Sequence, residues 1–424
     1  MQATESATGT PYEHLVQRER VHGSLYTEEQ IFAEELARIW YTTWVFVGHL
    51  SEVPQPNDYV RKNIGPQEVI MTRDRDGDIH LLMNRCAHRG SIICAEPHGN
   101  SSAFRCPYHG WTFRNTGKLL GYPFRQGYER TGPGLDLATV PRVSSYQGFV
   151  FASLAPTGRS LEQHLGPAAA AELDRLARLS PEGELTLDCG WITHQFGANW
   201  KLLFENDADG YHPQFAHQSI FSASHSPIGD LYTDRSPVVA CDIGNGHSSR
   251  DMRPVYRSAH PLSWAAATES KLPDYAASMR ARYGAEADQI LTDGPPNLMI
   301  FPNLAIMDIH ISAFQPVAPN LSLQHVTAVQ FKGAPDLNIR QLQQTVASVG
   351  PAGMFLADDA EMHERVQRGL AARQPEWVDV RRGLNREHTD DQGFTVSTVT
   401  DETAIRAFWR EYLRLMTTGE MSAA

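Results

Sequence analysis

The sequence predicts an α+β protein in which a small all-β unit precedes a larger unit that mixes strands with helices. Three observations carry this expectation. From Trp44 to about Leu154 the apolar residues fall in short runs broken by turn signals, the mark of closely spaced strands. Ala155-Pro156-Thr157-Gly158 then interrupts the pattern as a connecting stretch. Beyond it, helical periodicities alternate with strand-like runs almost to the C-terminus. A chain of 424 residues has room for two or three domains, and the expected division is 1–43, 44–155 and 156–424.

Taken in order, residues 1–24 are polar and read as loosely ordered or as a contact segment between subunits. Thr27-Glu28-Glu29-Gln30 reads as a capping box. It opens a helix whose Phe32, Leu36, Ile39 and Trp40 share one face. Asp76-Gly77, between Glu68–Arg73 and Ile79–Asn84, signals a hairpin. After the connecting stretch a helix is expected over Leu161–Leu179, strands around Leu185–Phe196, and a helix from Asn199 to about His212. Residues 221–296 are rich in Ser, Asp, Gly and Pro and read as long surface loops, a lid over a pocket. Strands return at Leu298–Gln315 and Leu321–Phe331, with helices at Leu337–Val349, Met354–Ala372 and Ala404–Met416. In the last of these, Ile405, Phe408, Trp409, Tyr412 and Met416 make an apolar stripe that reads as core.

Chemistry concentrates in two places. Cys86-Ala87-His88 and Cys106-Pro107-Tyr108-His109, separated by 17 residues, each offer one thiolate and one imidazole. Two ligands of each kind suit a tetrahedral zinc or a [2Fe–2S] cluster in which histidines replace cysteines on one iron. Zinc fingers group Cys with Cys and His with His. The interleaved order here lets Cys86 and Cys106 hold one iron while His88 and His109 hold the other. The second place is Asn199–His217. On a continuous helix Glu205, Asp209 and His212 would share a face. Pro213 offers a break that could swing His217 back towards His212. Two such histidines with a distant carboxylate would form the facial triad of non-haem iron(II) oxygenases. The best source of that carboxylate is Gly350–Asp359, a Gly-containing turn running into a helix with adjacent acids Asp358 and Asp359. The same acids would also suit a helix N-terminus with no metal.

The segments Asn84–Gly90 and Cys106–Trp111 resemble the two loops of a Rieske iron–sulfur domain. From about residue 26 to the C-terminus the chain is similar to the large (α) subunit of aromatic-ring-hydroxylating Rieske non-haem iron oxygenases. This resemblance implies that Cys86, His88, Cys106 and His109 bind a [2Fe–2S] cluster. It also implies that His212, His217 and Asp359 bind one Fe(II), with Asp358 the alternative acid. Asp209, one turn before His212, is then the bridge between an iron ligand and His109 of an adjacent chain in a head-to-tail trimer. Asn206 is a further candidate catalytic residue beside the iron. The fold implied is a β Rieske domain followed by a curved antiparallel sheet covered by helices.

The activity implied is cis-dihydroxylation of a substituted or carboxylated aromatic ring with O2. Monohydroxylation or O/N-demethylation at the same sites is the alternative, and a pure electron carrier is the alternative of another class. The sequence has no G-x-G-x-x-G after a strand, so electrons are expected from a separate NAD(P)H reductase, with or without a ferredoxin. A small β subunit in a three-plus-three assembly is a further implication. Phe204, Asn206, Met299, Phe301, Met307, Phe314, Met354 and Phe355 are candidate pocket residues. Arg250, Arg253 and Arg257 are candidates to pair a substrate carboxylate.

Bulk composition limits the rest. A net charge of −12 argues against nucleic acid and anionic membranes as partners. No basic n-region with an apolar core opens the chain, and no run reaches the length of a membrane span. Cys94, Cys189 and Cys241 show no framework spacing and read as free thiols, so the expected compartment is the cytoplasm.

Overall fold

The Asp76-Gly77 turn closes an antiparallel hairpin between Gln67–Arg73 and Ile79–Met83, as its sequence predicts. In a computed structural model that describes residues 11–128, 134–224, 230–308 and 310–419, this hairpin belongs to a four-stranded sheet completed by Asp58–Ile64 and His98–Asn100. A three-stranded sheet of Ala103–Arg105, Thr112–Arg114 and Leu119–Gly121 lies beside it. Ile70, Leu82, Phe104, Trp111 and Phe113 form the core between them, and Cys86 and Cys106 are part of that core.

The larger unit is built on nine antiparallel strands. Their order is Ile192–Phe196, Leu321–Ala328, His310–Ala318, Leu304–Ile306, Asn297–Ile300, His247–Asp251, Val239–Gly244, Thr395–Thr398 and His388–Thr389. Helices Trp200–Ala208, Met354–Leu370 and Thr403–Thr418 share one apolar cluster with Met299, Ala305 and Phe314 of the sheet. Helix Leu161–Ala177 and Pro273–Tyr283 contribute to a second cluster with Leu298, Ile300 and Ile306. The alternation along Leu298–Met299–Ile300 explains this division, since successive side chains leave a strand on opposite faces. Each large apolar side chain so buried stabilises the fold by about 1.5–3 kcal/mol.

Several expectations need correction. Residues 11–26 are not loose: Tyr12, Val16, Val21 and Leu25 are buried, and Arg20–His22 pairs with Trp377–Asp379. Residues 1–10 lie outside the described residues. The expected capping box does not form, because the helix starts at Glu29 behind Glu28, which makes no side-chain cap. Thr27 instead ends the preceding turn of 3-10 helix. Most of 230–296 is regular structure, with two strands of the main sheet and helices Arg253–Ser258, Pro273–Tyr283 and Ala287–Asp293. Short elements with polar outer faces hide their periodicity, which made this segment read as loop; residues 225–229 lie outside the described part. The C-terminal stripe is core as expected, with Phe408, Tyr412 and Met416 fully buried.

Candidate functional site: two metal centres

The two Cys/His loops close in the same way. The Cys86 N–H donates to Ser91 O at 2.8 Å and the Gly90 N–H to Cys86 O at 2.9 Å. In the other loop the Cys106 N–H donates to Trp111 O at 2.7 Å and the Gly110 N–H to Cys106 O at 3.0 Å. Gly90 and Gly110 sit at φ 74° and 73°, left-handed backbone where a side chain would be strained. Asn84 ties the first loop down: its amide donates to Cys94 O at 2.8 Å and accepts from the Cys94 N–H at 2.9 Å.

The ring centroids of His88 and His109 lie 4.6 Å apart, and Trp111 stacks on His88 at 5.0 Å and 4°. Burial pushes the Cys86 thiol above its ordinary value. At Cys106 burial acts the same way, but the N–H groups of Tyr108 and His109 at its sulfur outweigh it, and the thiol is lowered. The His88 Nδ1 is buried without a hydrogen-bond partner, which a metal bond would satisfy. Among the described residues no three of these four side chains bring ligand atoms within 4.8 Å of one another. A single tetrahedral zinc would need that; a sulfide-bridged pair of irons does not.

The second centre is built at the end of helix Trp200–Ala208. Asn199 caps it by accepting from the Lys201 N–H at 3.2 Å. The helix ends at Asp209, which is extended (φ −85°, ψ 129°), four residues before the break expected at Pro213. Pro213 instead starts a new short helix, Pro213–Ala216, where its fixed φ is favourable. Glu205, Asp209 and His212 therefore do not share a helical face. Glu205 turns away, accepting from Tyr26 Oη at 2.9 Å and Trp409 Nε1 at 2.6 Å. Asp209 acts through a turn: its carboxylate accepts from the Tyr211 N–H at 2.6 Å and the His212 N–H at 3.1 Å, and lies 3.1 Å from His212 Nδ1. These donors lower the Asp209 carboxyl even though burial opposes them. Gly210 is required here, since a Cβ on it would lie 2.2 Å from Val399 O.

His212, His217 and Asp359 converge, with ligand atoms within 4.8 Å of one another. Asp359 Oδ1 lies 3.6 Å from His212 Nε2 and 3.3 Å from His217 Nε2. The outer nitrogen of each ring has its own carboxylate, Asp209 on His212 and Asp358, at 3.3 Å, on His217. Asp359 Oδ1 is buried without a hydrogen-bond donor. Burial raises the Asp359 carboxyl, against His212, His217 and the Asn206 amide, which lower it. Two imidazoles and one monodentate carboxylate, leaving other positions open, fit a ferrous ion. The residues present at both centres thus fit the metals the sequence implies.

Of the pocket candidates, Phe204, Phe301 and Phe314 are core, with Phe204 packed on the other two and on Phe408, while Met354 is exposed. Phe355 lies against His217 at 4.9 Å. Arg253 and Arg257 are held at the surface by Asp251 and Asp293, whereas Arg250 is buried.

Sequence reasoning missed two features. Lys201 is fully buried and donates to Glu35 Oε1 at 2.6 Å, with Trp200 and Tyr412 also on that carboxylate. A lysine inside the apolar run Trp200–Phe204 was the signal, since it demands a buried counter-ion. Asp207 is the other: burial first, then the Asp359 carboxylate, raises its carboxyl to about 7.

Comparison with known proteins shows the family of the two units. Residues 43–141 match the Rieske [2Fe-2S] domain family, and residues 176–418 match the ring hydroxylating alpha subunit (catalytic domain) family. The 2-halobenzoate 1,2-dioxygenase large subunit of Burkholderia cepacia is 32% identical over 382 residues, 86% of this chain and 80% of that one. The N,N-dimethyl phenylurea N-demethylase subunit alpha of Sphingobium sp. (strain YBL2) is 29% identical over 428 residues, 92% and 90% of the two chains. A solved structure of naphthalene 1,2-dioxygenase with indole in the active site overlays with a TM-score of 0.84 at 25% identity, covering 98% of this chain and 96% of that one. The chain belongs to the ring-hydroxylating alpha-subunit family of Rieske non-haem iron oxygenases, whose members carry a [2Fe–2S] cluster and a mononuclear iron.

Proposed function

We propose that this chain is the terminal oxygenase component of a multicomponent system, using O2 and external electrons to cis-dihydroxylate a substituted or carboxylated aromatic ring. The single observation that carries the reading is the convergence of His212, His217 and Asp359 beside Asp209, in a chain that also holds the paired Cys/His loops. Cys86, Cys106, His88 and His109 would hold the cluster, and His212, His217 and Asp359 the ferrous ion. When bound, the two supply single-electron transfer and the redox chemistry of oxygen activation, which no side chain here provides.

The protein's own part is orientation and exclusion. Asp209 accepts the Nδ1 proton of His212 and Asp358 that of His217, so each ring presents its Nε2 to the same point. Phe355 and Phe221 pack around His217 and keep water from that side. Asn206 sits against the Asp359 carboxyl, consistent with a role beside the reacting atoms.

Electrons come from a separate NAD(P)H reductase, with or without a ferredoxin. The assembly is a trimer, with or without a small β subunit, in which Asp209 of one chain meets His109 of the next. Tyr108 and Phe124, exposed beside the cluster loops, and Tyr211 and Phe215, exposed beside Asp209, are apolar surfaces suited to such a contact. The division 1–43, 44–155 and 156–424 goes with this reading. So does a cytoplasmic location, which suits cysteines that form no disulfide. No helix among the described residues is long and apolar enough to cross a membrane.

A second reading, monooxygenation or N-demethylation, is favoured by the likeness to the phenylurea N-demethylase subunit over most of both chains. Turnover of aromatic acids and hydrocarbons with a surrogate reductase under 18O2 tests both. Two labelled atoms in one ring product support dihydroxylation, and one supports monooxygenation. Oxygen uptake uncoupled from any product, with a full complement of about three irons per chain, refutes both.

A further inference from the structure

We propose that Arg250 receives the carboxylate of an aromatic-acid substrate and so sets the substrate class of the iron site, an inference that rests on the oxygenase reading above. The argument begins with the strand that carries it. Arg250 pairs with Asn297, and Ser248 with Met299, in the register of two adjacent strands. Side chains alternate across a sheet, so Arg250, Asn297 and Met299 leave on one face. Met299 packs in the cluster that includes Phe204 and Ala208, and Leu356 from the helix that carries Asp359. Arg250 therefore points to the iron side of the sheet.

Its partners are few and weak for a guanidinium. Arg250 is 9% exposed, donates to Asp209 O at 3.1 Å and reaches Met307 Sδ at 3.1 Å. A thioether is a poor acceptor, and a guanidinium has five N–H donors and never loses its charge. Among the described residues no carboxylate lies within 4.0 Å of it. The nearest acids on neighbouring elements are Asp207 and Asp308, and the Asp308 carboxylate is already taken by the Asn297 amide at 2.7 Å. Asp207 and Asp308 feel the Arg250 charge only from beyond 4.0 Å, so a buried cation whose direct contacts are a carbonyl and a sulfur still has donors to offer an incoming anion. Met307 and Asp308 beside it are partly exposed. The other two arginines do not share this state, since Asp251 and Asp293 already grip Arg253 and Arg257 with two bonds each.

The position suits the task. Arg250 holds the Asp209 carbonyl, and the Asp209 carboxylate holds His212. An acid seated on the guanidinium would have its ring directed along the same face towards His212, His217 and Asp359.

The experiment compares Arg250→Gln and Arg250→Lys with the natural protein, each loaded with iron and supplied by a surrogate reductase, on benzoate and on toluene. Benzoate binding to the iron-loaded protein is followed in parallel by calorimetry. The expected result is a rise of about 100-fold in KM and Kd for benzoate in Arg250→Gln and a smaller rise of about 10-fold in Arg250→Lys. The loss on toluene reads only the support Arg250 gives to Asp209, and should be at least about 10-fold smaller than the loss on benzoate. Equal losses on both substrates mean that Arg250 only supports the Asp209 loop, and overturn the inference. So does unchanged benzoate binding in Arg250→Gln, or a natural protein that oxidises toluene and does not bind benzoate; in that last case the oxygenase reading stands. If the iron-loaded protein oxidises no aromatic compound, the oxygenase reading falls and this inference with it.

Discussion

The Asp358 carboxylate reaches His217 Nδ1 at 3.3 Å, while its neighbour Asp359 faces the opposite nitrogen of the same ring at 3.3 Å. Two adjacent acids thus divide one imidazole between them, and the division separates their variants. Asp359→Ala should lose the mononuclear iron and keep the visible absorption of the cluster. Asp358→Asn should keep both centres and weaken mononuclear iron affinity about 10- to 100-fold. Iron titration with absorbance as the internal standard checks both. The reverse outcome would make Asp358 the ligand.

Asp209 is held on two sides, by Arg250 at its carbonyl and by His212 at its carboxylate. Asp209→Asn keeps the size but weakens the acceptor for the His212 ring proton. Iron content should stay near that of the natural protein, while coupled oxygen uptake falls at least about 100-fold. Normal turnover in this variant would remove Asp209 from the proposed bridge between chains.

The Lys201–Glu35 pair is fully buried, and Trp200 and Tyr412 donate to the same carboxylate. Lys201→Met leaves that carboxylate without its cation and should cost about 3–5 kcal/mol in chemical denaturation. Lys201→Met with Glu35→Gln should recover part of the loss, because the amide oxygen still accepts from Trp200 or Tyr412 while no charge remains. A double variant no better than the single would show that packing, not charge, sets the penalty.

His247 gives the protein an acid limit. Its Nδ1 accepts from the Phe301 N–H at 2.9 Å and its Nε2 donates to His164 O at 2.7 Å, which requires the neutral ring. Burial lowers its pKa to about 4. In the unfolded chain the ring takes its proton near pH 6.5, so this contribution is whole above about 6.5 and is lost as pH falls towards 4. The loss should approach about 3 kcal/mol. Urea unfolding across this range, with His247→Gln as the comparison, should show a flatter slope in the variant.

Much of both candidate centres was legible because the residues proposed to bind metal come in short, chemically unusual groups. Cys86, His88, Cys106 and His109 lie in two tight loops, and His212 and His217 are separated by a single helical turn. Asp359 was harder to read, since a contact across more than 140 positions leaves no local pattern and only the adjacent acids marked it. The helix end at Asp209 was misread although Gly210, just past the end, is a local stop signal; its crowding against Val399, which holds the turn there, is a tertiary fact. The same reason hid Glu35 as the partner of Lys201. The helices within 253–293 were missed because their polar outer faces dilute the periodicity that marked the C-terminal helix.

The tie between Glu35 and Lys201 has a practical side for anyone shortening this chain. Through Glu35, helix Glu29–Glu35 works as a splint for helix Trp200–Ala208, which leads into the turn that carries His212. Forms trimmed to about residue 43 should stay brown while shedding their ferrous ion, and so would look healthy by eye and be inert in the assay.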